Sequence, residues 1–172
     1  MRSATTARRV LIVSLSLAAA LFGGSTPQAV GSGGVWRWPV VGPILRAYDP
    51  PATQYGSGHR GIDVACALGA PIIAAAAGVV TFAGPVGGQR YVTIDHGSGL
   101  SSTYSYLGSL LVKKGQSVAQ GTAIATCGSG HPGSTIPHVH LGARRTDGSY
   151  VDPLLLLTPA DVSSFVHLAP RR

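Results

Sequence analysis

Apolar and polar positions alternate along this chain in short runs separated by glycine, a period of two rather than the 3.6 of an amphipathic helix. The runs are Pro71 to Ala74, Gly78 to Gly84, Tyr91 to Gly97, Leu100 to Leu107, Gly121 to Cys127 and His138 to Arg144. Spacing of about ten residues between runs predicts an all-β sandwich or barrel with few or no helices. The tetra-alanine Ala74 to Ala77 favours helix by propensity. Pro71 before it and the β-branched run after Gly78 assign it to strand edges instead. Val112 to Thr122, with Gly115 and Gly121 flanking alternating Val and Lys or Gln, reads as a glycine hairpin. No repeat of 20 to 50 residues is visible.

The two ends read differently. Arg2, Arg8 and Arg9 precede an apolar run from Val10 to Phe22 and then Gly23-Gly24-Ser25, the layout of an export signal over 1–29. Its run is too short to span a bilayer comfortably. Arg8-Arg9 fits twin-arginine export and the rest fits ordinary secretion. No Cys follows the run, so no lipid or membrane anchor is expected after cleavage. Residues 30–57 form a leading strand and loop containing Trp36 and Trp38, both read as packing residues. A main domain over 58–157 follows, then a tail over 158–172 with one short helix at Pro159 to Val162.

Charge narrows the partners. Thirteen basic residues face six acidic ones, and removing the three signal arginines leaves 13 − 3 = 10, a net +4 for the exported part. With two lysines and no long basic run, this suits a weakly anionic polymer such as cell wall. It does not suit nucleic acid, because the few aromatic residues are not interleaved with basic ones. Cys66 and Cys127 both lie in the exported part, where thiols oxidise, and are expected to pair. Such a bridge closes a loop of about sixty residues, worth about 3–4 kcal/mol.

The candidate chemistry lies in two distant pieces, Gly58-His59-Arg60-Gly61-Ile62-Asp63 and Pro137-His138-Val139-His140-Leu141. Residues two apart on a strand share a face, so His138 and His140 both reach one metal and the water it activates. Fully extended, His59 and Asp63 would stand about 13 Å apart, so the chain must turn between them, and Gly61 permits that. The chain contains no Glu, which excludes the zinc helix motif with a glutamate base; any proton carrier is a His or Asp. Two imidazoles and one carboxylate leave a zinc ion with an open fourth position, the arrangement of a hydrolytic site.

At these residues the chain resembles the lysostaphin-type, or LytM-like, zinc endopeptidases of bacterial cell walls. The likeness runs from His59 to Pro153. It includes Ala70-Pro71 with Gly78-Val79-Val80, the Ile94-Asp95-His96-Gly97 turn, Gly115 and Gly121, and Ser134-Thr135 before Pro137-His138. It implies an antiparallel β-fold of the duplicated-hybrid-motif kind with the site in a groove. It also implies His59, Asp63 and His140 as zinc ligands, His138 as general base, and peptidoglycan peptides as substrate in the secreted or envelope compartment, with any regulatory protein unidentified. The family usually carries a further histidine in Tyr-x-His-Leu, where this chain reads Tyr104-Ser105-Tyr106-Leu107. Tyr106 is then a substitute donor toward an oxyanion, and a wall-binding or hydrolase-activating module is the alternative to an enzyme. Leu141-Gly142 replaces the usual Phe-Glu and Ile136 a usual glycine. His96 reads as structural, His131 as a loop residue lining the groove, and His167 as part of the tail. Asp95 and Asp152 read as turn caps. Tyr104 and Tyr106, two apart, are expected to share a face, either core or groove wall.

Overall fold

The computed structural model describes residues 35–53 and 56–158. The export signal, the tail helix and His167 lie outside them. Among the described residues ten strands run in chain order: β1 Ile44–Arg46, β2 Gly61–Ala65, β3 Pro71–Ile73, β4 Gly78–Val86, β5 Gln89–Asp95, β6 Leu100–Leu110, β7 Ser117–Val118, β8 Ala123–Cys127, β9 His138–Arg145 and β10 Tyr150–Val151. A 3₁₀ turn, Pro153–Leu155, follows, its first turn capped by Asp152, whose Oδ1 accepts from Leu154 N at 2.9 Å. The strands pair antiparallel in one branched sheet of order β1-β2-β9-β6-β5-β4-β7, with β10 on β9 and β3 joined through β8 to β6. The mainly antiparallel β-fold legible in the sequence is the fold observed.

Alternation on β2 and β9 separates core from site. Ile62 and Val64 of β2, with Val139, Leu141 and Ala143 of β9, are fully buried beside Ile72, Ile94, Tyr104 and Ile124. Their neighbours Gly61, Asp63, His138, His140, Gly142 and Arg144 therefore occupy the opposite face. Pairing in the register Asp63↔His140 and Gly61↔Gly142 sets the two pieces of the motif side by side. The Cys66–Cys127 disulfide, with Cα atoms 6.2 Å apart, ties the end of β2 to the end of β8.

Three local expectations change. The tetra-alanine is a bend between β3 and β4, neither helix nor strand edge: Ala74 N donates to Thr122 O and Ala75 N to the Tyr104 hydroxyl, and Ala74, Ala75 and Ala76 are buried. The glycine segment is not a hairpin; its glycines, both near φ +86°, make turns on either side of the two-residue β7, which pairs with β4. Tyr104 and Tyr106 do not share a face. Strand β6 pairs with β9 up to Ser105 and with β8 from Leu107, and the change of partner is accommodated by a bulge at Tyr106, whose φ is +62°. Tyr104 points into the core and Tyr106 into the groove.

The leading segment closes the structure. Trp36 N donates to Leu156 O and Thr158 N to Trp36 O, each at 2.7 Å, while the buried Trp36 ring lies 5.0 Å from that of His96. His96 is held by Ala77 O at Nδ1, 2.8 Å, and by Ser102 Oγ at Nε2, 2.9 Å.

Candidate metal centre

Each ligand candidate comes from a different local device. Asp63 is a β2 residue, and the register with β9 delivers His140 to it: His140 Nδ1 lies 2.8 Å from Asp63 Oδ1. His59 precedes β2 and is held by a backbone bridge to Asp49. Its Nδ1–H donates to Ala47 O at 2.7 Å, which turns the Nε2 lone pair toward the other two. That Nε2 stands 3.1 Å from Asp63 Oδ1 and 3.0 Å from His140 Nδ1.

Three lone-pair atoms thus converge on one point, and His59 and Asp63 are buried. The triangle's edges of 2.8 to 3.1 Å are slightly tighter than the ~3.3 Å separating tetrahedral ligands about 2.05 Å from zinc. A set of two imidazoles and one carboxylate at this spacing fits a zinc ion after a relaxation of a few tenths of an ångström. Burial alone would raise the Asp63 pKa, but the His140 hydrogen bond and the charges of His140, His59 and His138 together hold it below the ordinary carboxylate value. The carboxyl is therefore ionised and ready to ligate.

The cluster opens into a cavity of about 420 Å³ lined by Arg46, Gly58, His59, Arg60, Asp63, Tyr106, His131 and His140. The Tyr106 ring stands 6.3 Å from His140, 5.7 Å from His138 and 6.0 Å from His131, all edge to face. Burial first, then Tyr91 and Asp63, pushes its pKa above the ordinary phenol value, so the hydroxyl keeps its proton. His131, read from sequence as a groove-lining loop residue, is in the lining.

His138 is placed differently from the ligands. It is 1% exposed and does not line that cavity. Its Nδ1–H donates to Ile136 O at 2.8 Å, and its Nε2 accepts a long bond, 3.4 Å, from His131 N. The chain crosses above it at Gly130, where a Cβ would lie 2.4 Å from the ring. Gly61 also acts otherwise than the sequence suggested. Its φ is not positive; it is glycine because a Cβ would lie 2.2 Å from Leu141 O and 2.7 Å from His140 Nε2. Arg46 and Arg60 were not foreseen, since their place in the groove depends on how β1 and the 56–60 segment pack.

The chain is similar in sequence and in fold to several known proteins. An uncharacterised protein of Mycobacterium tuberculosis is 34% identical over 156 residues, 87% of this chain and 60% of that one. The murein hydrolase activator NlpD of Escherichia coli is 36% identical over 124 residues, 71% of this chain and 31% of that one. The chain thus spans less than two thirds of the length of either relative. Among solved structures, lysostaphin of Staphylococcus simulans aligns with a TM-score of 0.63 at 26% identity, over 73% of this chain and 54% of that one. The model of peptidase family M23 matches residues 57–153, which take in all of the cluster and nearly all of the sheet, and on that match the chain belongs to this family.

Proposed function

We propose that this protein is an exported zinc endopeptidase that hydrolyses peptide bonds in peptidoglycan. The observation that carries the reading is the convergence of His59 Nε2, Asp63 Oδ1 and His140 Nδ1 at the floor of an open groove. These three atoms would hold the ion. Zinc there would supply Lewis acidity and lower the pKa of a bound water toward neutrality. Asp63 neutralises part of the cation's charge, and the Ala47 carbonyl fixes the tautomer of His59. His138 accepts a proton at Nε2, because Nδ1 carries the proton donated to Ile136, and returns it to the leaving amine. For that proton to arrive, the long His131 N–H contact at Nε2, 3.4 Å, has to open. Tyr106, kept protonated by burial, donates toward the developing oxyanion.

A second reading is a peptidoglycan-binding or hydrolase-activating module that keeps the metal site without turnover. The phenol at position 106 favours it, as does likeness to a murein hydrolase activator. Zinc-loaded protein lacking the signal, incubated with purified wall, separates the two by new amino termini. Release abolished by a chelator and by His138→Ala, with zinc still bound in that variant, is the result expected of the enzyme. No release from protein demonstrably loaded with zinc leaves the module reading.

A further inference from the structure

We propose that the groove continues from the metal cluster to a carboxylate-binding subsite made by Arg144, Tyr150 and Arg60. That subsite selects peptides with a free carboxylate about four residues from the bond at the metal. This rests on the peptidase reading for its substrate, although the subsite itself is a matter of binding.

Three cavities adjoin. The metal cavity shares Arg60, Tyr106 and His140 with a second of about 310 Å³, and the second shares Arg60, Arg144 and Tyr150 with a third of about 430 Å³. Strand β9 is their common floor. His140, Gly142 and Arg144 alternate onto one face, and Gly142 presents no side chain, so the path between the metal ligand and the arginine stays open. Four residues at about 3.3 Å per residue make that path about 13 Å long, the reach of four residues of extended peptide.

At its end the Arg144 and Arg60 guanidinium carbons lie 5.6 and 5.8 Å from the centre of the Tyr150 ring, within cation–π distance. Backbone carbonyls orient both: Arg144 Nε donates to Gly148 O at 3.1 Å and Arg60 Nη2 to Gly56 O at 3.2 Å. A guanidinium has five N–H donors, and among the described residues no carboxylate lies within 4.0 Å of Arg144. The acid of the third cavity, Asp147, accepts the Ser149 N–H at 2.8 Å within its own exposed turn. Arg144, steadied on the ring and by Gly148 O, has further N–H donors for a planar carboxylate, which takes them in pairs, and Arg60 at the same ring adds positive charge. A polyanion would require a longer basic track, and Lys113 and Lys114 sit on the turn before β7, outside these cavities.

The test is an NMR titration of ¹⁵N-labelled, zinc-loaded protein, with a chelator-treated sample beside it. The probes are acetyl-tetraalanine ending in a carboxylate, the same peptide ending in a carboxamide, and a carboxamide peptide with one glutamate. A charge-assisted contact predicts about tenfold tighter binding of a carboxylate peptide than of its neutral counterpart, with shifts at Gly142, Arg144 and Tyr150. Which of the two acidic peptides gains shows whether a terminal or a side-chain carboxylate is taken. The preference should vanish in Arg144→Gln and persist in Arg145→Gln, the same charge change on the opposite face of β9. Equal affinity for acidic and neutral peptides, or a preference that survives in Arg144→Gln, overturns the subsite. Cleavage is followed in parallel: a preference without cleavage counts against the peptidase reading alone, and cleavage without a preference counts against the subsite alone.

Discussion

Gly61 and Gly142 face each other across β2 and β9, yet the structure predicts opposite outcomes for the same substitution at the two positions. In Gly61→Ala the new Cβ would sit 2.2 Å from Leu141 O, 2.7 Å from His140 Nε2 and 2.8 Å from His140 Cε1. A carbon–oxygen contact relaxes to about 3.3 Å, so β2 and β9 must part by about 1 Å or the His140 ring must tilt. Overpacking of this size costs about 1–3 kcal/mol. Moving a group that fixes a ligand typically costs about 10–100-fold in metal affinity. In Gly142→Ala the nearest atoms are Arg60 O at 3.4 Å and His140 Nε2 at 3.7 Å, ordinary contacts. Zinc affinity measured against a chromogenic chelator, with urea unfolding of metal-free protein, reads both effects. Gly61→Ala should lose zinc affinity and stability while Gly142→Ala keeps both. Wild-type zinc binding by Gly61→Ala, or equal losses in the two variants, would refute the argument that close approach sets the His140 position.

Replacing Cys66 and Cys127 together with Ser should lower unfolding stability by about 4 kcal/mol, the chain-entropy value for residues 61 apart, read as a urea-midpoint shift; a change under about 1 kcal/mol would show that the reduced chain is already constrained. Burial lowers the His96 pKa below 6.5, outweighing the Ala77 hydrogen bond and the Asp95 charge, so His96 is neutral in the fold and protonates more readily when unfolded. Its stabilising contribution is complete above pH 6.5 and is lost as pH falls from there through the lower folded value. His96→Gln in metal-free protein should flatten the decline of the urea midpoint over that window, and an unchanged slope would exclude His96 as its source. Tyr106→His should raise turnover on purified wall with zinc affinity unchanged, since His tolerates the +62° φ and restores an imidazole; a fall in rate would show that the phenol has a role of its own.

The period-two pattern made the fold legible, and the two motif pieces with their resemblance brought Asp63 and His140 to one metal, but β2 and its register with β9 were not among the runs legible in the sequence. Gly61 stood out in the sequence, but for the wrong reason. A turn is a local property that spacing suggests, whereas the contact with Leu141 and His140 exists only once two segments about eighty residues apart are in register. The same limit hid Tyr106. Alternation along Leu100 to Leu107 puts the two tyrosines together until β6 changes partners, and nothing in Tyr104-Ser105-Tyr106-Leu107 records that exchange. Net charge pointed to a weakly anionic partner, but its concentration at Arg46, Arg60 and Arg144 along one groove depends on three separate strands and loops.

The enzyme and the module share the metal ligands and differ over one side chain, His138. A buried carboxylate beside two imidazoles is costly unless something joins the three lone pairs, so the ligand geometry favours holding an ion under either reading. His138 is not under that constraint. Its Nδ1 is satisfied by Ile136, and its Nε2 by a single N–H at the outer limit of hydrogen-bond length, from a segment whose Gly130 fits above the ring only because it lacks a Cβ. A purely structural histidine would be better served by a shorter bond and a side chain packed over it. A glycine cover and a stretched contact are what a base needs if it is to be shielded from solvent and released when a peptide enters the groove, and this weighs toward catalysis despite the phenol at position 106.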